Sequence, residues 1–175
     1  MKAKKSKYLI IFVLAALILL NIYQYNKISD MEKEAGLEFQ RTVRDSIFLL
    51  ENDADPTIWI KILNEEDGEF TFASHLGELS NLSRQYHMMN GKISMLGTMW
   101  DQLADRYTDL AISVKNGRDY TQTEEEINKD REFLVMFLND IDSISGESEK
   151  RYYRGFSDSK SKTSNMVWRE YKKYE

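Results

Sequence analysis

An unbroken hydrophobic run opens the chain, from Tyr8 to Leu20, and continues through Asn21 and Ile22 to Tyr25. Its eleven Leu, Ile, Val and Phe residues contribute roughly −3 to −6 kcal/mol to membrane insertion, at about −0.3 to −0.6 kcal/mol each. A helix over 8–23 spans about 24 Å, and lysine snorkelling can compensate for its shortfall against a hydrocarbon layer of ~30 Å. We therefore expect an uncleaved transmembrane helix over 8–25. The predicted anchor residues are Lys7, Tyr8, Leu9, Ile10, Phe12, Leu14, Leu17, Leu20 and Tyr23.

A cleaved signal peptide is the alternative, because the uninterrupted 13 residues also fit the apolar region of such a peptide. Cleavage needs small residues at alternate positions after the run, but the sequence from Asn21 to Asp30 carries bulky groups there. The chain has no cysteine, so lipoprotein processing at a lipobox cysteine is excluded. We favour the retained anchor.

The strongest helical periodicity lies at 79–114, where hydrophobic side chains recur at alternating spacings of three and four. This stripe predicts a helix with a buried seam. With an Asn-Gly stop at 116–117, the pattern predicts one long helix over about 70–116. The predicted helix-packing seam is Leu79, Leu82, Tyr86, Met89, Ile93, Leu96, Trp100, Leu103, Tyr107, Leu110 and Val114.

Two alternatives remain for this segment. Asn90-Gly91 is a turn dipeptide, so a helical hairpin broken at Gly91 competes with the continuous helix, which we favour because the register does not change phase. Self-dimerisation as a coiled coil competes with packing inside the chain. The bulky Tyr86, Trp100 and Tyr107 and the small residues flanking the seam favour an intramolecular bundle.

Three further segments have helical patterns: 30–51, a short helix opened by Pro56, and a helix from Thr121 to about Gly146. The helix over 30–51 could begin at a capping box or continue directly from the membrane helix. No window shows sustained strand-like alternation. The predicted fold is all-α: one transmembrane helix followed by an extracytoplasmic helical bundle.

Charge sets the expected topology. Four lysines and no acid precede the hydrophobic run, whereas residues 24–175 hold 20 Lys+Arg against 29 Asp+Glu. The positive-inside rule predicts a single-pass protein of the cell membrane, with the N-terminus in the cytoplasm and the rest outside. A cysteine-free exported domain favours a bacterial envelope. The predicted parts are a cytoplasmic tip (1–7), a signal-anchor helix (8–25), a bundle (26–146) and a basic, aromatic tail (147–175).

The tail differs in charge from the bundle, with eight Lys+Arg against four acids from Ser148 onward. A low-complexity stretch over 157–164 predicts a flexible link or a poorly formed turn, followed by a short amphipathic helix. We expect this tail to dock on its own acidic bundle, with a partner protein or an anionic membrane as alternatives. The candidate contact residues are Arg151, Arg154, Trp168, Lys172 and Lys173.

Catalytic motifs are scarce. His75 and His87 would lie about 18 Å apart on one helix, too far to share a metal ion. The acidic run 51–55 lacks the glycine and glutamate of an EF-hand loop, because Pro56 and Ile62 occupy those places. The sequence contains no phosphate-binding glycine loop, nucleophile elbow or cysteine nucleophile. We therefore expect no catalytic residue, metal or cofactor.

The sequence favours a non-catalytic interaction or scaffold protein of the cell envelope. Its expected partners are the lipid bilayer and an envelope protein; nucleic acid is disfavoured by the acidic charge, and a homo-oligomer is not favoured. The alternative is a ligand-sensing bundle that acts through a partner membrane protein. That alternative predicts a cavity near Tyr86, Trp100 and Tyr107.

Overall fold

The computed structural model describes the backbone of residues 2–89 and 91–174, and side chains from residue 11 onward. Every regular element in these residues is helical, which confirms the predicted all-α class. The described residues form seven α-helices, with a 3₁₀ turn at Gly91–Ser94 before the fourth: α1 (Lys2–Asn52), α2 (Pro56–Leu63), α3 (Gly68–His87), α4 (Met95–Lys115), α5 (Thr121–Ser145), α6 (Glu149–Ser157) and α7 (Lys162–Tyr174).

The helix α1 is continuous over 51 residues, or about 76 Å. The predicted transmembrane helix and the predicted helix over 30–51 are therefore parts of one element. The capping-box sequence at Ser29 does not begin a helix; its hydroxyl instead accepts a hydrogen bond from Lys150 Nζ at 2.7 Å. No proline or glycine occurs in α1 before Gly36, so nothing local breaks the helix where it leaves the hydrophobic segment.

The second half of α1 forms an antiparallel four-helix bundle with α3, α4 and α5. Gln40 Nε2 donates to the carbonyl oxygen of Gly146 at 3.5 Å, whereas Arg131 donates to the carbonyl oxygen of Leu50, so α1 and α5 run in opposite directions. The helix α2 packs at the far end of this bundle, which we call the anchor-distal end. The helix α6 packs mainly on α1, and α7 packs on α4 and its preceding 3₁₀ turn.

The predicted continuous helix over 70–116 is wrong. The chain forms the alternative hairpin, in which α3 and α4 reverse direction around Gly91, whose φ is +63°. Asn90 itself lies outside the described residues. The antiparallel pairing is shown at both ends, since Ser83 Oγ lies 3.1 Å from the carbonyl oxygen of Gly97 and Lys115 pairs with Glu69 at 2.7 Å. The hydrophobic register stays in phase because both helices turn the same stripe towards the core.

The stretch 157–164 contains the end of α6, a turn over 158–161 and the start of α7, which differs from the predicted flexible or poorly formed link. Ser161 Oγ and Ser164 Oγ both donate to the carbonyl oxygen of Gly155, at 2.5 and 3.2 Å. Thr163 is buried against Gly155. The tail as a whole packs on its own bundle, and its buried anchors are Tyr152, Phe156, Met166 and Val167.

Candidate functional site

The first candidate site is the apolar half of α1. The helix Ile11–Asn52 contains an 18-residue window with a mean hydropathy of 1.5, none of it buried, so it is a candidate membrane span by length and composition. Among the predicted anchor residues, Phe12, Leu14, Leu17, Leu20 and Tyr23 are exposed. The side chains of Lys7, Tyr8, Leu9 and Ile10 lie outside the described residues.

Asn21 interrupts the hydrophobic run, and the helix satisfies its side chain locally. Its Nδ2 atom donates to the carbonyl oxygen of Leu17 at 2.8 Å. An amide that is hydrogen-bonded within its own helix costs less in hydrocarbon than one without a partner. The segment therefore combines a long apolar surface with a partly satisfied polar group.

The eleven seam residues lie in the core of the bundle. All are buried except Met89 and Val114, which are half-buried. The Tyr86 hydroxyl lies 3.0 Å from Ser46 Oγ, and the Tyr107 hydroxyl donates to the carbonyl oxygen of Ala54. Burial raises the pKa of both tyrosines well above the ordinary value. The seam is thus occupied by contacts within the chain.

Side chains from three helices complete the end of α1, where backbone carbonyls have no partner in the next turn. Arg131 donates to Leu50 O through both Nε and Nη2, at 3.2 and 3.1 Å. Trp59 Nε1 donates to Asp53 O at 2.5 Å. Together with the Tyr107 hydroxyl, these donors join α2, α4 and α5 to the end of α1.

His75 lies in an aromatic cluster at the anchor-distal end. Its ring stacks on Trp59 with centroids 4.0 Å apart and meets the edge of Tyr107 at 5.0 Å. Only 2% of the side chain is exposed, and within the described residues neither ring nitrogen has a hydrogen-bond partner. Burial lowers the pKa of His75 to about 4, so the ring is neutral at pH 7.

His87 lies in a different place, on the surface of the α3–α4 hairpin. Its Nε2 atom contacts Asp101 Oδ2 at 2.8 Å, and Ser83 contacts the other oxygen of the same carboxylate. A nucleophilic serine needs the base at its own hydroxyl, and here the carboxylate lies between the serine and the imidazole. Within the described residues, no group of three or more His, Cys, Asp or Glu could hold a metal ion.

One residue of the acidic run 51–55, Asp55, caps a helix. Asp55 Oδ1 accepts hydrogen bonds from the backbone nitrogen and the hydroxyl of Thr57, at 2.9 and 2.7 Å, at the start of α2. The hydrogen bonds from Thr57 lower the pKa of Asp55. Glu51 and Asp53 are exposed.

The structure divides the predicted tail contacts into two groups. Lys172 Nζ lies 4.7 Å from the Trp168 ring centroid, and Lys173 pairs with Glu170, all on α7. Arg151 and Arg154 instead lie on α6. They line a cavity of about 240 Å³ at the end of α5, together with Ser145 and Lys162. The sequence did not indicate the last two residues, because only the docking of α6 and α7 on α5 brings them together.

The largest cavity that we describe lies at the anchor-distal end, not at Tyr86, Trp100 and Tyr107, which are fully buried. It measures about 540 Å³, and Lys115 and Glu69 lie among its polar residues. Its apolar lining comes from α2, α3 and α4 and includes Leu63, Phe72, Leu76, Ala111 and Val114.

No protein-family model matches this chain, and neither a curated protein nor a solved structure matches it significantly.

Proposed function

We propose that this chain is a membrane-anchored, extracytoplasmic helical scaffold that binds or positions another component of the cell envelope without catalysing a reaction. One observation carries the proposal: α1 passes without a break from the exposed apolar segment into the core of a packed bundle. The anchor and the core of the bundle are the same helix. The bundle is therefore held at a fixed height by a stiff connection.

Distances along α1 support a positioning role. Among the described residues, the first hydrogen bond from α1 to another helix beyond the apolar segment is at Ser29, about 6 Å past Tyr25. The helix ends at Asn52, about 40 Å past Tyr25. The lysine-rich N-terminus and the acidic remainder support a cytoplasmic N-terminus with the bundle outside. A bundle in this orientation would present its surface within roughly 40 Å of the membrane.

The polar networks support a non-catalytic role. The Ser83, Asp101 and His87 side chains are arranged with the carboxylate in the middle, and His75 is packed among aromatic rings. The buried tyrosine hydroxyls bond to groups on α1 or near its end. Each of these groups has a structural use.

Topology can be tested cleanly because the chain has no native cysteine. In intact cells, a membrane-impermeant maleimide should label Ser143→Cys, which is an exposed position on α5. The matched variant Ser6→Cys should react only after the cells are permeabilised. Labelling of Ser6→Cys alone would reverse the topology, and a shortened, released product would support the cleaved signal peptide.

A scaffold should also co-purify with a defined membrane partner from gently solubilised membranes. Charge reversal at Lys172 and Lys173 is compared with charge reversal at Arg151 and Arg154. The pair whose reversal reduces co-purification identifies the tail surface that contacts the partner. Turnover of a substrate by the purified chain in a broad activity screen would contradict the non-catalytic proposal.

The alternative function is ligand sensing through a partner membrane protein. The anchor-distal cavity favours it, because about 540 Å³ lies in the usual range for small-molecule sites. The ligand would be apolar with one polar end, matching an apolar lining that includes Lys115 and Glu69. Such a ligand should raise the melting temperature of the wild type but not that of Ala111→Phe, which fills the cavity. A cavity without a sensing role gives no such difference.

A further inference from the structure

A second concave surface lies where the end of α5 meets the turn between α6 and α7. The residues that line this cavity of about 240 Å³ include Arg151 and Arg154 of α6 and Lys162 at the start of α7. The positive end of the α7 dipole therefore also lies at this cavity. Three cationic side chains around so small a space favour a compact anion.

These three cations are available to a ligand. Among the residues that the structure describes, no carboxylate forms an ion pair with Arg151, Arg154 or Lys162, whereas Arg44 and Arg106 are each paired with two acids. One carboxylate, that of Asp158, does line the cavity. Its Oδ1 atom accepts a hydrogen bond from the backbone nitrogen of Lys160 at 2.8 Å.

Ser145 gives a second, independent indication of a ligand. Its side chain is 1% exposed and lines the same cavity, and Oγ has no hydrogen-bond partner within the described residues. Buried hydroxyls in folded proteins nearly always have a partner, so a hydroxyl without one at a cavity points to a missing acceptor or donor. A phosphate oxygen would accept a hydrogen bond from the Ser145 hydroxyl.

We propose that this cavity binds the phosphate group of an anionic ligand. Arg151, Arg154 and Lys162 supply the opposing charge, and the Ser145 hydroxyl donates a hydrogen bond at the buried end. The site shares Arg151 and Arg154 with one of the two candidate partner surfaces, but phosphate binding itself does not depend on the scaffold function. A soluble phosphate compound and a lipid headgroup present the same chemical group. The cavity lies near the level of Gln40, about 22 Å along α1 from Tyr25, which is far for a headgroup if α1 stands upright.

The first experiment titrates inorganic phosphate into the full chain in neutral detergent and measures binding by calorimetry. Arg151→Gln/Arg154→Gln should weaken binding at least tenfold, because two charge-assisted contacts are lost. Lys172→Gln/Lys173→Gln removes the same charge from α7 and should leave binding unchanged. Ser145→Ala should weaken binding severalfold without lowering the melting temperature, since no partner within the described chain loses a hydrogen bond.

The second experiment separates the two sources of phosphate. The same variants are placed in nanodiscs of phosphatidylglycerol or phosphatidylcholine, and protection of the cavity is followed by hydrogen exchange. Binding of inorganic phosphate that depends on Arg151 and Arg154 supports a soluble ligand; protection only in phosphatidylglycerol, with the same dependence, supports a lipid. Equal loss of binding in both double variants, or no binding and no protection in either experiment, overturns the proposal.

Discussion

The imidazole of His75 contributes to this fold as an aromatic ring, stacked on Trp59 and facing the edge of Tyr107. A histidine with two unpartnered nitrogens is tolerated there only while it is neutral, because a buried charge without a partner is costly. Protonation of this one side chain therefore opposes folding.

His75→Phe should remove a specific part of the acid sensitivity. Because the folded-state pKa is about 4, below the ordinary 6.5, His75 costs nothing above pH 6.5 and destabilises the fold as the pH falls towards 4. The expected loss between pH 7.5 and 4.5 is about 2–3 kcal/mol, and the variant should lack it. Urea unfolding of the full chain in neutral detergent measures the difference.

The control is His87→Gln, which removes the exposed histidine and keeps His75. It should retain the His75 part of the pH dependence, while titrating carboxylates affect all three proteins alike. If His75→Phe and the wild type lose the same free energy of unfolding on acidification, the assignment to His75 is wrong.

At the residue scale, periodicity alone was informative about the core. The spacing of three and four identified Leu79 to Val114 as one buried face, since each of these side chains is buried or half-buried in the bundle. The same sequence could not indicate Ser145 as a cavity residue. Its surroundings depend on α6 and α7, which no local pattern places against α5.

At the scale of elements, the α3–α4 hairpin shows that a hydrophobic register does not determine whether a segment is one helix or two. A stripe that stays in phase through Gly91 fits either one long helix or two antiparallel helices that face the same core. The glycine of the Asn-Gly dipeptide distinguishes the hairpin from the continuous helix, because a φ of +63° suits glycine and not most other residues. At Ser29 the sequence left two alternatives, a capping box or a continuing helix, and the structure has the continuing helix.

The crossing of α1 and α6 depends on Gly36. A methyl group at this position would lie directly on the carbonyl oxygen of Glu149, and backbone atoms cannot move aside as a flexible side chain can. Gly36→Ala should therefore destabilise the bundle by about 2 kcal/mol or more, despite the higher helix propensity of alanine. Thermal unfolding followed by circular dichroism in neutral detergent measures the effect.

Gly77→Ala is the matched control, because it makes the same change inside α3 where a Cβ would meet nothing within 4 Å. It should stabilise the protein by about 1 kcal/mol through helix propensity alone. Shifts of the same sign in both variants would show that α1 and α6 do not approach this closely.

At the scale of the whole molecule, the sequence indicated the order of the parts better than their arrangement. Hydrophobicity identified the apolar helix, and the charge change at Ser148 marked the tail. The separation of Arg151 and Arg154 from Lys172 and Lys173 could not be predicted, because it follows from the packing of α6 on α1 and of α7 on α4. The two groups can therefore serve different ligands.

Under the proposed membrane anchoring, the length of α1 between the apolar segment and the bundle offers a direct test of positioning. Seven residues inserted after Lys27 raise the bundle by about 10 Å and turn it by only about 20°, whereas one inserted alanine raises it by about 1.5 Å and turns it by about 100°. Partner crosslinking in native membranes should decrease with either insertion if both height and direction matter. Unchanged crosslinking in both would contradict a positioning role.

The uninterrupted α1 has a consequence for the rotational orientation of the bundle about the axis of this helix. A domain on a flexible linker can rotate to meet a partner from any side. This bundle cannot rotate independently of the apolar segment, because one continuous helix joins them from Lys2 to Asn52. Under the proposed membrane anchoring, a neighbour that binds the apolar segment within the bilayer also determines which face of the bundle points towards it. Contact between the apolar segments of two such proteins would then fix the relative orientation of their bundles outside the membrane.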